Sequence, residues 1–135
     1  MTRVEGWEKS LNDCIEAALV RPFCWGENDC CLFAADAIRA LTGRDPAGDY
    51  RRRYASAAQA AKLLQRLGGI EAIPGTAGFE EVAVAFARRG DVVLAENDGN
   101  LLLGVVDMTG RRIAVPGAQG LVFLPLESAL KAWRV

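Results

Sequence analysis

The sequence predicts a single α+β domain over residues 1–135, with N-terminal helices packed on a C-terminal antiparallel sheet of about five strands. Three observations predict it. Apolar residues recur every three or four positions through the first half, and from about Val82 the repeat falls to two. The runs in the second half are joined by short turn sequences, which permit only antiparallel pairing.

The first helix is read from Trp7, Leu11, Cys14, Ile15, Ala18 and Leu19, which share one face, and Pro22 ends it. Residues 21–28 are a connection. Cys31, Ala34, Ala35, Ile38 and Leu41 then repeat the helical spacing, Leu32 and Phe33 widen the apolar face toward full burial, and Gly43 supplies a C-terminal stop. Asn28 or Asp29 is the expected N-cap, because a short side-chain oxygen accepts from the unpaired amides of a first turn. Cys30 therefore sits in that turn. Residues 44–55, with Pro46, Gly48 and the arginines Arg51, Arg52 and Arg53, read as a long exposed loop. Ser56 and Gln59 form a capping-box pattern ahead of Ala60, Leu63, Leu64 and Leu67, and Gly68 and Gly69 close a third helix. Strands are expected at 82–86, 91–95, 101–106, 111–115 and 121–124. Their separators are Arg89-Gly90, Asp98-Gly99, Thr109-Gly110 and Pro116-Gly117. A last helix is expected at 126–133, with Leu126, Leu130 and Trp133 inward.

Composition narrows the functional classes. At 135 residues, 51% hydrophobic and 24% charged, the chain has the make-up of one globular core. Sixteen basic and seventeen acidic residues leave a net charge of −1, which gives no overall drive toward nucleic acid or an anionic membrane. No run reaches the roughly 18 apolar residues of a membrane span, and the first residues do not form a signal-peptide core, so a cytoplasmic protein is expected. The cysteines at 14, 24, 30 and 31 are expected to be reduced thiols. They contain no CxxC pair and the chain has no histidine, so no zinc site is expected. None of the glycines lies between a strand and a helix as a phosphate loop requires, so no nucleotide cofactor is expected either.

The segment richest in chemistry is Pro22-Phe23-Cys24-Trp25-Gly26-Glu27-Asn28-Asp29-Cys30-Cys31, which runs straight into the buried helix. Unpaired amides and the positive end of a helix dipole favour thiolate at Cys30, one way to make a nucleophile. Hydrolysis needs a general base beside that sulfur and a third group to orient the base. The competing reading makes Cys30 and Cys31 small buried hydrophobes, as free cysteines often are, with Cys14 and Cys24 core or near-surface filler. Trp25 and Gly26 are either an aromatic plug and a tight turn or, with Asp29, part of a cleft beside Cys30. The arginine run with Tyr50 and Tyr54 is a solvated surface or a binder of phosphate, nucleic acid or an acidic partner.

The Asp29-Cys30 pair opening a helix, with the later Gly90-Asp91-Val92-Val93-Leu94 strand, resembles the NlpC/P60 superfamily of papain-like cell-wall hydrolases. More closely, the Pro-Phe-x-Trp-Gly-x-x-Asp-Cys string is similar to uncharacterised proteins encoded in phage and prophage tail-gene clusters. The resemblance runs from Trp7 to about Leu124. It implies a papain-like fold and Cys30 as the nucleophile. Gly104 and Val105 match the Gly-Ile of the superfamily's third motif, which places Leu102 where the catalytic histidine belongs. The third polar residue would fall between Ile113 and Val115 and is absent, and Cys31-Leu32 replaces the usual Ser-Gly. General-base assistance is worth about 10²–10⁴-fold, and breaking a triad loses more.

The expectation is therefore a degenerate NlpC/P60-like domain of a phage or prophage tail module, in the bacterial cytoplasm or the phage particle. It would act by binding other tail proteins or a cell-wall peptide. Its rival is an active cysteine peptidase or amidase using Cys30 and a non-histidine base, for which Glu96, Asp98 and Asp107 are the candidates. A third reading is a binding module built on the arginine loop.

Overall fold

The computed structural model describes residues 2–135, and in it helices come before a single antiparallel sheet. Helix α1 (Trp7–Ala18) turns Leu11, Ile15 and Ala18 into the core, one face of its three-and-four spacing. Helix α2 (Cys30–Thr42) buries Leu32, Phe33, Ala34, Ala35, Ala37, Ile38 and Leu41, which is the wide apolar face expected of it. Gly43 stops it at φ 78°, a left-handed conformation that glycine adopts without strain. Helix α3 (Ala57–Arg66) starts on the predicted capping box. Gln59 N–H donates to Ser56 Oγ at 3.2 Å, and Gln59 Oε1 accepts from Ala55 N–H at 2.7 Å. A short helix α4 (Ile73–Thr76), which the spacing did not predict, follows.

The sheet has six strands rather than about five. They are β1 (Glu80–Val82), β2 (Val92–Asn97), β3 (Asn100–Val106), β4 (Arg112–Gly117), β5 (Gly120–Pro125) and β6 (Ala129–Arg134), in the order β1-β6-β2-β3-β4-β5. The sixth strand replaces the predicted last helix. The chain turns through a 3₁₀ segment at Leu126–Ser128 and then inserts between β1 and β2, satisfying two edges that would otherwise stand open. Trp133 is buried as expected, but the pairing slips between Leu94 and Ala95, so Leu130 drops out of the ladder and is exposed. The first strand is also shorter than predicted: β1 ends at Val82, and Val84–Phe86 is a 3₁₀ turn with Phe86 in solvent.

Each face of the sheet has its own core. On the helix side, Leu11, Ile15, Phe33, Ile38 and Leu41 pack on Val92, Leu94, Leu103, Val105 and Trp133. Across the sheet, Val93, Ala95, Val106, Ile113, Val115 and Ala132 bury one another with Leu102, Leu124 and Leu126. No α-helix contributes to this second cluster; the 3₁₀ turns at Val84–Phe86 and Leu126–Ser128 add Val84 and Leu126 to it. Gly104 leaves the room this packing needs: a Cβ there would run into the side chain of Ile113 and come within 2.7 Å of Val115 Cγ1.

Buried Asp91 ties the two ends of the chain together. Its Oδ1 accepts from Arg3 Nη2 at 3.2 Å and from Val135 N–H at 3.0 Å; its Oδ2 accepts from Arg134 Nε at 3.2 Å and Arg88 N–H at 3.0 Å. Among the described residues no helix is long and apolar enough to cross a membrane.

Candidate functional site

The segment before α2 folds as a tight knot. Cys24 and Asn28 exchange backbone hydrogen bonds, and Asn28 Nδ2 donates to the Pro22 carbonyl at 2.9 Å, while Gly26 turns the chain at φ 79°. A side chain at Gly26 would collide with the Tyr54 carbonyl, so the position requires glycine for space as well as conformation. Phe23 and Trp25 meet edge to face at 4.7 Å between centroids. Of the two expected caps, Asp29 is the one used. Its Oδ1 accepts from Leu32 N–H at 3.0 Å, and its Oδ2 accepts from Gly26 N–H at 3.0 Å and from the Tyr54 hydroxyl at 2.5 Å.

The loop of residues 44–55 is therefore more than an exposed tether. Arg52 N–H donates to the Gly26 carbonyl at 2.9 Å, and Tyr54 reaches Asp29, so the loop is docked on the knot. Burial, and then the bond to the Asp29 carboxylate, push the Tyr54 phenol far up, which keeps it a donor. Arg51 forks onto Asp45 at 2.8 and 3.1 Å and also holds Asp36 at 2.8 Å. Its charge is spent inside the fold. Arg52 and Arg53 remain exposed, with Arg52 3.9 Å from Glu27, which leaves little for an arginine-loop binding module.

Cys30 lines a cavity of about 320 Å³ formed between α2, α3, the docked loop, α4 and β3. Trp25 and Asp29 line the same cavity, so the structure brings these predicted residues together with Cys30; Gly26 lies behind them as the turn that positions Asp29. The remaining wall is aliphatic, with Ala35, Ile38, Leu63, Leu64, Leu101 and Leu103 prominent. The Cys31 thiol, and then the backbone N–H groups of Leu103 and Cys31, draw the Cys30 thiol below its ordinary range, although burial and the neighbouring Asp29 carboxylate act the other way. Cys31 is the counterpart, pushed well above its usual range because its proton is held toward Cys30 and because it is buried.

The strand register corrects one position. Leu102 turns into the core on the far side of the sheet, and it is Leu103 that lies beside Cys30. Residues on a strand alternate faces, so a shift of one in the alignment exchanges the two. Either way the position opposite the thiol is leucine. On the next strand Ala114 faces the helices, and Ile113 and Val115 face away. The candidate substitute bases are elsewhere. Glu96 and Asp98 are exposed at the tip of the β2–β3 hairpin, and Asp107 is buried against Arg112 Nε at 2.7 Å and the Thr109 hydroxyl at 2.6 Å. Neither Cys14 nor Cys24 belongs to the site. Cys14 packs against the main core, where burial lifts its thiol to about 11, and Cys24 is exposed beside Glu27.

Two features escape sequence reasoning. Tyr54 as the partner of Asp29 is one, since nothing local distinguishes it from its arginine neighbours. The cavity itself is the other, because it exists only where Leu63, Leu64 and Leu67 of the third helical segment meet α2 without filling the space between. Among the described residues, no three His, Cys, Asp or Glu side chains are grouped to hold a metal ion.

Residues 2–135 match the family described as a domain of unknown function, DUF6950, and the chain belongs to that family. No curated protein matches it.

Proposed function

We propose that this member of the DUF6950 family is a non-hydrolytic NlpC/P60-like domain, which keeps a papain-like scaffold and works by binding within a phage or prophage tail module. The support for the scaffold is a cysteine opening the central helix, an acidic residue before it, and an antiparallel sheet packed across that helix. The tail setting rests on the Pro22-Phe23-x-Trp25-Gly26-x-x-Asp29-Cys30 string.

One observation carries the loss of hydrolysis: among the described residues, the cavity wall around Cys30 holds no histidine and a single carboxylate. That carboxylate, Asp29, already accepts three hydrogen bonds. Cleaving an amide requires a proton delivered to a leaving amine and another removed from the incoming water. No group here is placed for either step. What remains is a concave, largely apolar site of about 320 Å³, within the usual size range of small-molecule pockets.

The test is hydrolysis of cell-wall peptides by the purified chain, followed by mass spectrometry and compared with Cys30→Ala. Equal, background-level cleavage by both is expected. Turnover that depends on Cys30 overturns the reading.

A further inference from the structure

We propose that the cavity is an acyl-chain site and that Cys30 accepts a medium-chain acyl group from an acyl thioester, becoming a long-lived S-acyl cysteine. The inference rests on the non-hydrolytic reading and names the ligand class of the same site.

The distribution of polarity in the cavity sets the shape of its occupant. The thiols and Asp29 come from the start of α2 and the two tyrosines from the docked loop, and apart from Trp25 and Thr76 the rest of the wall is Leu, Ile, Val, Ala, Pro and Phe. A peptide threaded there would bury amide groups without partners, a penalty at each one. A chain of methylenes meets no such penalty. At about 320 Å³ the cavity is of the size that takes a small molecule, the scale of a medium-length acyl chain.

The entrance and roof suit the same ligand. Trp25 and Leu101 line the cavity and are exposed, so apolar surface continues to its mouth. The roof is α3, which fully buries only Ala60 and lays half-buried Leu63, Leu64 and Leu67 over the space. A roof held by so few buried side chains opens at little expense.

The chemistry follows from what the site lacks. An amine leaving group must be protonated to depart, whereas a thiolate departs unaided, so exchange between thiols needs no general acid. The Cys30 thiolate attacks the thioester carbonyl, a C–S bond to Cys30 forms, the C–S bond to the donor thiol breaks, and the electron pair leaves on the donor sulfur. The Cys30 proton goes to solvent or to that sulfur, and nothing is oxidised or reduced. The N–H donors that steady the thiolate remain beside the reacting centre, able to meet the carbonyl oxygen. Deacylation would need water activated by a base. The one carboxylate lining the cavity, Asp29, is already taken up by three donors, so the thioester persists.

The experiment incubates the whole chain with the coenzyme A thioesters of acetate, hexanoate and decanoate and follows intact mass, with peptide mapping and hydroxylamine release. One acyl group on Cys30 is expected, absent in Cys30→Ser, with its rate rising about tenfold for each two carbons buried. Leu64→Gln, a change in the cavity roof, should slow decanoyl transfer far more than acetyl transfer. A rate independent of chain length, a label on Cys24 instead of Cys30, or decanoate binding without any label overturns the inference and leaves the non-hydrolytic reading standing. Release of coenzyme A in continuing excess over protein shows turnover, which overturns both.

Discussion

The two flanks of α2 are built on opposite principles. Toward α1 and the sheet, Phe33, Ala37 and Leu41 are in full contact with neighbours from other elements, and beyond them Asp91 binds two guanidiniums and two backbone amides. Toward α3 the same helix faces a hollow, and the buried carboxylate there, Asp29, is held by neutral donors only. A close-packed interior resists any change of volume, while a hollow one has room for a ligand. This chain is close-packed on one side of a helix and hollow on the other. The thiol sits where the hollow begins.

The largest way to break that division is at Asp91. Asp91→Ala leaves Arg3 and Arg134 without their shared buried partner and removes the acceptor for Arg88 and Val135 N–H. A loss of about 3–5 kcal/mol in urea unfolding is expected. A loss below about 1 kcal/mol would show that the termini are held by other means.

A paired truncation sharpens the contrast. Leu41→Ala, on the packed flank, should cost about 2–5 kcal/mol, because a closed core leaves a cavity where the side chain was. Leu64→Ala, on the roof of an existing hollow, should cost about 1 kcal/mol or less. Equal costs in denaturant titrations would erase the distinction between the flanks.

The smallest effect lies at the docked loop. The Arg51 fork holds the Asp45 carboxyl below its usual range, so the folded pKa lies under the unfolded one. That stabilisation is present above about pH 4 and disappears as pH falls through the lower folded value. Asp45→Asn should therefore be less stable than the parent at neutral pH by under about 1 kcal/mol, with the gap closing in acid. A gap that widens in acid would reverse the sign.

Much of this architecture was legible because it is local. The capping pair Ser56 and Gln59, the stop at Gly43 and the Asp29 cap each depend on residues within a few positions, and each is found where the spacing placed it. Leu126, Leu130 and Trp133 misled for the complementary reason. Their spacing fits a helix, but vacant edges on β1 and β2 claim the segment as a strand. The exchange of Leu102 for Leu103 has the same origin, since which face a strand turns to the helices is fixed by its partners.

A cysteine opening a buried helix behind an aspartate cap, and the lack of histidine among these 135 residues, could be read from the sequence alone. Those are facts of composition and of short-range hydrogen bonding. Only the tertiary structure decided what surrounds that sulfur: Leu103 from the sheet, Tyr54 locking the arginine loop over Asp29, and an aliphatic hollow under α3. A void is the shape left between elements that meet from distant parts of the chain, and no single segment carries a signal for it.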